Sequence, residues 1–172
     1  MESNQAMTTT DEHAKLWDLI KDTRYGMLTH RHADGQLHSH PLTTQSKNIE
    51  EGSTLYFFVP RNGDIARHVE SDPSVNIAYA NTDADSYVSV TGRATLREDQ
   101  AKKEALFNPA AKAWFPGGAT DPNLALLAVE IIGAEYWDVK ESKMVQLLKM
   151  AKAAITGNQP PSLGEHKKLD LG

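Results

Sequence analysis

The chain has 172 residues and a mass of 19.0 kDa, enough for one domain with a core of its own and short for two. Hydrophobic residues make up 40% and charged residues 24%, the proportions of an ordinary globular protein, and a net charge of −5 argues against a general nucleic-acid partner, which requires a basic stripe. With no cysteine there is no disulfide frame, no thiolate nucleophile and no thiolate zinc site.

The opening MESNQAMTTTDEH has neither an apolar core nor an arginine-rich amphipathic pattern, so no signal or transit peptide is expected. No run approaches the roughly 18 apolar residues of a membrane span, and the expectation is a cytoplasmic protein without a membrane partner. Residues 1–10 read as a flexible N-terminus, 11–156 as one domain, and 157–172, polar with Pro160-Pro161, as a C-terminal tail. Thr9 and Glu12 have capping-box spacing, and Leu16, Leu19 and Ile20 recur at helical intervals, predicting a helix that ends near Asp22.

From there the period is two. Tyr25 to His32 reads as a strand, Asp34-Gly35 as a tight turn and Leu37 to Gln45 as the returning strand, with Pro41 marking an edge or bulge. Thr54 to Val59 is apolar enough to be buried on both faces. Asp64 to Glu70 forms one or two helical turns that stop before Pro73. Val75 to Ala80 and Tyr87 to Leu96 are further strands, the second bent or bulged at Gly92. Asp99 to Phe107 reads as a helix, Ala110 to Trp114 as an added turn, Leu124 to Trp137 as the last long strand, and Glu141 to Ile155 as an amphipathic helix. The fold class expected is mainly β with α, six antiparallel strands in a small closed or nearly closed barrel flanked by helices.

Four of the seven histidines, His30, His32, His38 and His40, form paired His-x-His motifs across one hairpin. A two-residue Asp-Gly turn sets His30 opposite Ser39 and His40 opposite Thr29, which sends the pairs to opposite faces. A three-residue turn would set His30 opposite His40 and His32 opposite His38 on one face, where they could ligate a transition metal. The Asp-Gly signal favours the first register, so exposed strand histidines and no metal site are expected. There is no Gly-x-Ser-x-Gly elbow, no Gly-x-Gly-x-x-Gly and no Walker loop, and no residue stands out as catalytic. The Arg61-Asn62-Gly63-Asp64 loop precedes a helical turn whose backbone N–H groups can face a phosphate. Trp114-Phe115-Pro116 lies in a surface loop, where such side chains either cover a planar ligand or anchor a second subunit.

In order along the chain come Ser39-His40-Pro41-Leu42, Leu55-Tyr56-Phe57-Phe58, Asp72-Pro73-Ser74-Val75-Asn76-Ile77 and Tyr87-Val88-Ser89-Val90-Thr91-Gly92. Lys112-Ala113-Trp114-Phe115-Pro116-Gly117-Gly118, Asp121-Pro122-Asn123-Leu124 and Glu135-Tyr136-Trp137-Asp138 follow. From about Lys15 onward this series resembles the bacterial general stress proteins of the pyridoxamine 5′-phosphate oxidase-like family. The resemblance implies an FMN-binding split barrel acting as a homodimer, with the flavin at the subunit interface and FAD as the alternative cofactor. By position it implies cofactor-binding roles for His40, Pro41, Leu42 and Thr43 on one strand, for Phe58, Val59, Arg61 and Asn62 around the next, and for the aromatic Trp114, Phe115 and Trp137. It also implies that the Gly164-Glu165-His166-Lys167-Lys168 segment packs. Two positions depart from the family pattern: His40 stands where relatives usually carry arginine, and Ile65 where they usually carry lysine. Arg61, Arg67 or the backbone at Asn62 and Gly63 would then have to hold the phosphate. Any chemistry is expected to be the flavin's own redox chemistry, the other reading being a non-catalytic flavin-binding dimer.

Overall fold

The computed structural model describes residues 9–49, 53–139, 143–157 and 164–171. Helix α1 (Thr9–Thr23) leads into β1 (Tyr25–Arg31) and β2 (Leu37–Thr43), followed by β3 (Thr54–Pro60) and α2 (Asp64–Val69). Next come β4 (Ser74–Asn81), β5 (Ser86–Arg97), α3 (Gln100–Leu106) and the single turn α4 (Pro109–Lys112). The chain ends with β6 (Leu124–Asp138), α5 (Lys143–Thr156) and β7 (Glu165–Asp170). Residues 1–8 and the Pro160-Pro161 segment of the expected tail lie outside the described residues.

The strands form one antiparallel sheet in the order β2-β1-β4-β5-β6-β3, the expected six-stranded split barrel, and β7 adds to β6. The length of β6 makes this possible. Its first half pairs β3 from Leu124 to Glu130, its second half pairs β7 from Gly133 to Asp138, and β5 runs along its other side. The polar composition of the tail conceals this strand, whose register is set by alternation that buries Leu169 and exposes Lys168 and Asp170.

Residues of alternating parity from each strand fill the barrel: Leu28, Leu55, Phe57, Ile77, Val90 and Leu127 are fully buried, and Leu16 and Ile20 of α1 close one end. The opposite face of β3 and β6 is covered as well, because α3 and α4 lay Leu106, Ala111 and Phe115 over Tyr56, Phe58, Leu124 and Leu126. This double burial is why Thr54–Val59 has no polar alternation.

The barrel is not laced shut. Between β2 and β3 the ladder is replaced by a single bridge, Thr44 to Phe57, with the Gln45 N–H donating to the Tyr56 carbonyl at 2.9 Å and the Tyr56 N–H to Ser46 Oγ at 2.8 Å. The hairpin register also differs from the sequence expectation. His30 pairs His38 and Leu28 pairs His40, and the loop is Ala33-Asp34-Gly35, closed by the His32 N–H donating to the Gln36 carbonyl. Gly35 adopts φ +85°, the left-handed residue of a three-residue turn with a bulge, so the Asp-Gly pair occupies the second and third loop positions.

Candidate functional site

Beside the β2–β3 seam lies a cleft of about 650 Å³, within the range of small-molecule sites. One wall is β2 from His40 to Thr43. Pro41 sits there without penalty because β2 is an edge strand and loses no ladder donor. The opposite wall is the end of β3, Phe58-Val59-Pro60, continued by Gly63, Asp64 and Ile65 at the start of α2. The third is the α4 segment, with Ala111, Trp114 and Phe115.

Local capping explains the position of that segment. The Asn108 side chain accepts from the Ala111 N–H at 3.1 Å, Pro109 occupies the first helical position, and Asn108 Nδ2 donates to Gln45 Oε1 at 2.7 Å, tying the turn to the exit of β2. Phe115 is buried edge-on against Phe58, with ring centroids 6.5 Å apart, while Trp114 is 82% exposed. Downstream, Asp121 accepts from the Gly117 and Asn123 N–H groups, both at 2.9 Å, which fixes the Pro-Gly-Gly turn.

His40, Pro41, Leu42, Thr43, Phe58, Val59, Trp114 and Phe115 therefore come together on one cleft. Arg61, Asn62 and Trp137 are not among its lining residues. Arg61 is held elsewhere: its guanidinium pairs with Glu98 at 2.5 Å and donates to the carbonyls of Pro122 (3.2 Å) and Leu124 (3.4 Å). Arg67 is paired with Asp64. Trp137 lies on the outer sheet face, stacked on His166 with centroids 5.0 Å apart. Ile65 is buried in the cleft wall and makes it apolar at that point.

The cationic residue that the sequence reading missed is Arg24, the only arginine or lysine among the lining residues. It occupies the one-residue link between α1 and β1 with φ 63°, and the only sequence signal was the abruptness of the change of period there. Its N–H donates to the Ile20 carbonyl and its carbonyl accepts from Thr44, so the backbone is fixed while the side chain is exposed. Asp64 is the only carboxylate lining the cleft; the hydrogen bond and charge of Arg67 hold it below the usual carboxylate range, so it is ionised.

At the end of the cleft, His40 joins a second constellation. The observed register places His30, His32, His38 and His40 on one face of the hairpin, and α2 brings His68 against them. Ring centroids are 3.6 Å apart for His32–His38, 4.0 Å for His32–His68, 4.9 Å for His30–His32 and 5.2 Å for His30–His40. The expectation of exposed histidines splayed to opposite faces is thus corrected: His30 is 1% exposed, and His32, His38, His40 and His68 are half-buried. Burial, reinforced by the charges of His40, His32 and His68, pulls the His30 pKa down to about 4. Burial followed by His38 and His68 lowers that of His32. Both imidazoles are neutral at pH 7.

A curled six-strand sheet, open along one seam with an apolar cleft against it, defines a split-barrel protein. A profile of the family described as pyridoxamine 5′-phosphate oxidase like matches residues 11–161, and the chain belongs to this family. Protein bli-3 of Neurospora crassa is 25% identical over 126 residues, covering 69% of this chain; the chain spans 60% of the length of that curated relative. Among solved structures, one from Jannaschia sp. CCS1 described as a general stress protein 26 shares the fold with a TM-score of 0.73 at 24% identity, covering 94% of this chain and 99% of the other. The general stress FMN/FAD binding protein of Xanthomonas citri is 31% identical with a TM-score of 0.65, covering 78% of this chain and 93% of its own. No described helix is long and apolar enough to cross a membrane.

Proposed function

We propose that the protein is a flavin-binding homodimer of the general stress type, with FMN, or FAD as the alternative, held in the cleft where two copies meet. The observation that carries this reading is an open apolar cleft continuous with a sheet face whose described apolar residues are exposed. Tyr25 belongs to both: it lines the cleft and is 62% exposed on the outer side of β1. Beside it on that face lie Met27, Ala78, Ala80, Tyr87 and Trp137, aligned by the β1–β4, β4–β5 and β5–β6 registers. A contiguous face of this composition is characteristic of a subunit contact.

The residues present fit a flat ring with an anionic tail. Leu42, Val59, Ile65 and Phe115 offer apolar and aromatic walls, Trp114 stands free to cover a ring, and Arg24 supplies one cation for a phosphate. Hydride or electron transfer would be the flavin's own chemistry; the chain's part is to orient the ring and exclude water. With Asp64 tied to Arg67, the cleft offers no free carboxylate as a proton donor or acceptor.

Titration of the purified protein with FMN and with FAD tests the reading. Quenching of flavin fluorescence is expected, and Arg24→Gln should weaken FMN binding about tenfold or more, the loss of a charge-assisted hydrogen bond worth about 1.5–3 kcal/mol. Unchanged fluorescence with both flavins would overturn it. If the bound flavin forms, its rate of reduction by NAD(P)H separates an oxidoreductase from a carrier.

A further inference from the structure

The histidine cluster at the hairpin has no part in the cleft proposed for flavin, apart from its outlier His40. We propose that His30, His32 and His68 form a site for one divalent transition ion of the zinc–copper group, bound by three imidazole nitrogens with the fourth position open to an exogenous ligand. One nitrogen from each of the three rings already lies within 4.8 Å of the others. Bonds of about 2.0–2.1 Å to a tetrahedral ion set ligand nitrogens about 3.4 Å apart, so a closure of at most about 1.4 Å by ring rotation completes the geometry.

The polar atoms of the cluster point to a missing partner. His30 is 1% exposed, yet neither its Nδ1 nor its Nε2 has a hydrogen-bond partner, and His32 Nε2 and His40 Nε2 are likewise buried and unpaired. Buried polar atoms are nearly always satisfied, and an ion bound by one nitrogen of His30 and by Nε2 of His32 would meet two of these four orphans. His68 is oriented for the task. Its Nδ1 is 2.8 Å from the Asp64 carbonyl oxygen, to which an N–H there donates, leaving the Nε2 lone pair free, as is usual for a metal-bound histidine.

The donor set decides the kind of ion. Three imidazoles with no carboxylate among them disfavour magnesium and calcium, and the absence of cysteine excludes thiolate-bound centres. Asp64, paired with Arg67, stays outside the ligand set. His38 stacks on His32 and supports its ring without being a ligand.

The test uses untagged, full-length protein stripped with a chelator and titrated with Co²⁺ and Zn²⁺. One equivalent per chain is expected, with the visible absorption of low-coordinate Co²⁺ and a higher thermal midpoint in Zn²⁺. His68→Gln should weaken binding about a hundredfold or more, and His30→Gln should do the same, whereas His38→Gln should retain the stoichiometry. His68 is half-buried where His30 is fully buried, so its variant reports even if His30→Gln folds poorly. Absence of stoichiometric uptake by the unmodified protein, uptake that survives His68→Gln, or equal loss in His38→Gln would each overturn the site. None of these readouts involves flavin.

Discussion

Strand β5 shifts register against β6 between Thr91 and Gly92, and a Cβ built at Gly92 would lie 2.6 Å from both the Glu130 carbonyl oxygen and Val129 Cγ1. Neither atom can yield easily, one being backbone and the other part of the core. Gly92→Ala should therefore cost about 1–3 kcal/mol, read as a lower urea midpoint with an unchanged slope. The glycine was legible in the sequence as a bend within a strand, since the alternation of Val88 and Val90 leads directly into it. The hairpin histidines were legible as a pattern but not as a site. An Asp-Gly pair favours a two-residue turn but also fits a three-residue turn with a bulge, and a one-residue slip reverses every side chain from face to face. His68 carried no signal at all, because nothing in a six-residue helix tells which strand it will meet.

Among the elements, α4 is a single turn, and the most exposed tryptophan, Trp114, lies two residues beyond its end. Its stability rests on Asn108, which caps the turn and reaches Gln45 through the same side chain. Asn108→Ala should lower stability by about 1 kcal/mol, and denaturant unfolding followed by circular dichroism measures that loss. The helix-forming and apolar segments 9–22, 54–59 and 124–137 were readable because each had a clear period or an unbroken apolar run. Strand β7 was hidden because composition alone cannot show a pairing partner. What makes that segment a strand is the free edge that β6 presents beyond the end of β3.

For the whole molecule, the outer sheet face sets a testable assembly. A charge at Tyr87, which sits between Ala80 and Trp137 across three strands, should oppose a subunit contact there without entering the barrel. On the dimer proposal the native chain sediments at twice its 19.0 kDa mass, and Tyr87→Lys sediments as the single chain; a native chain that sediments alone would remove the contact. The ordering of the strands was not written in any one segment. It follows from β6 being long enough to accept β3, β5 and β7, which only the assembled sheet reveals.

The lone bridge from Thr44 to Phe57 leaves the barrel fastened by a single button where a full row of stitches would otherwise run. On the flavin proposal, a guest lodged between Leu42 and Val59 would grip both flaps at once, its affinity would be drawn on directly to keep the garment closed, and the loaded protein is expected to outlast the empty one under heat.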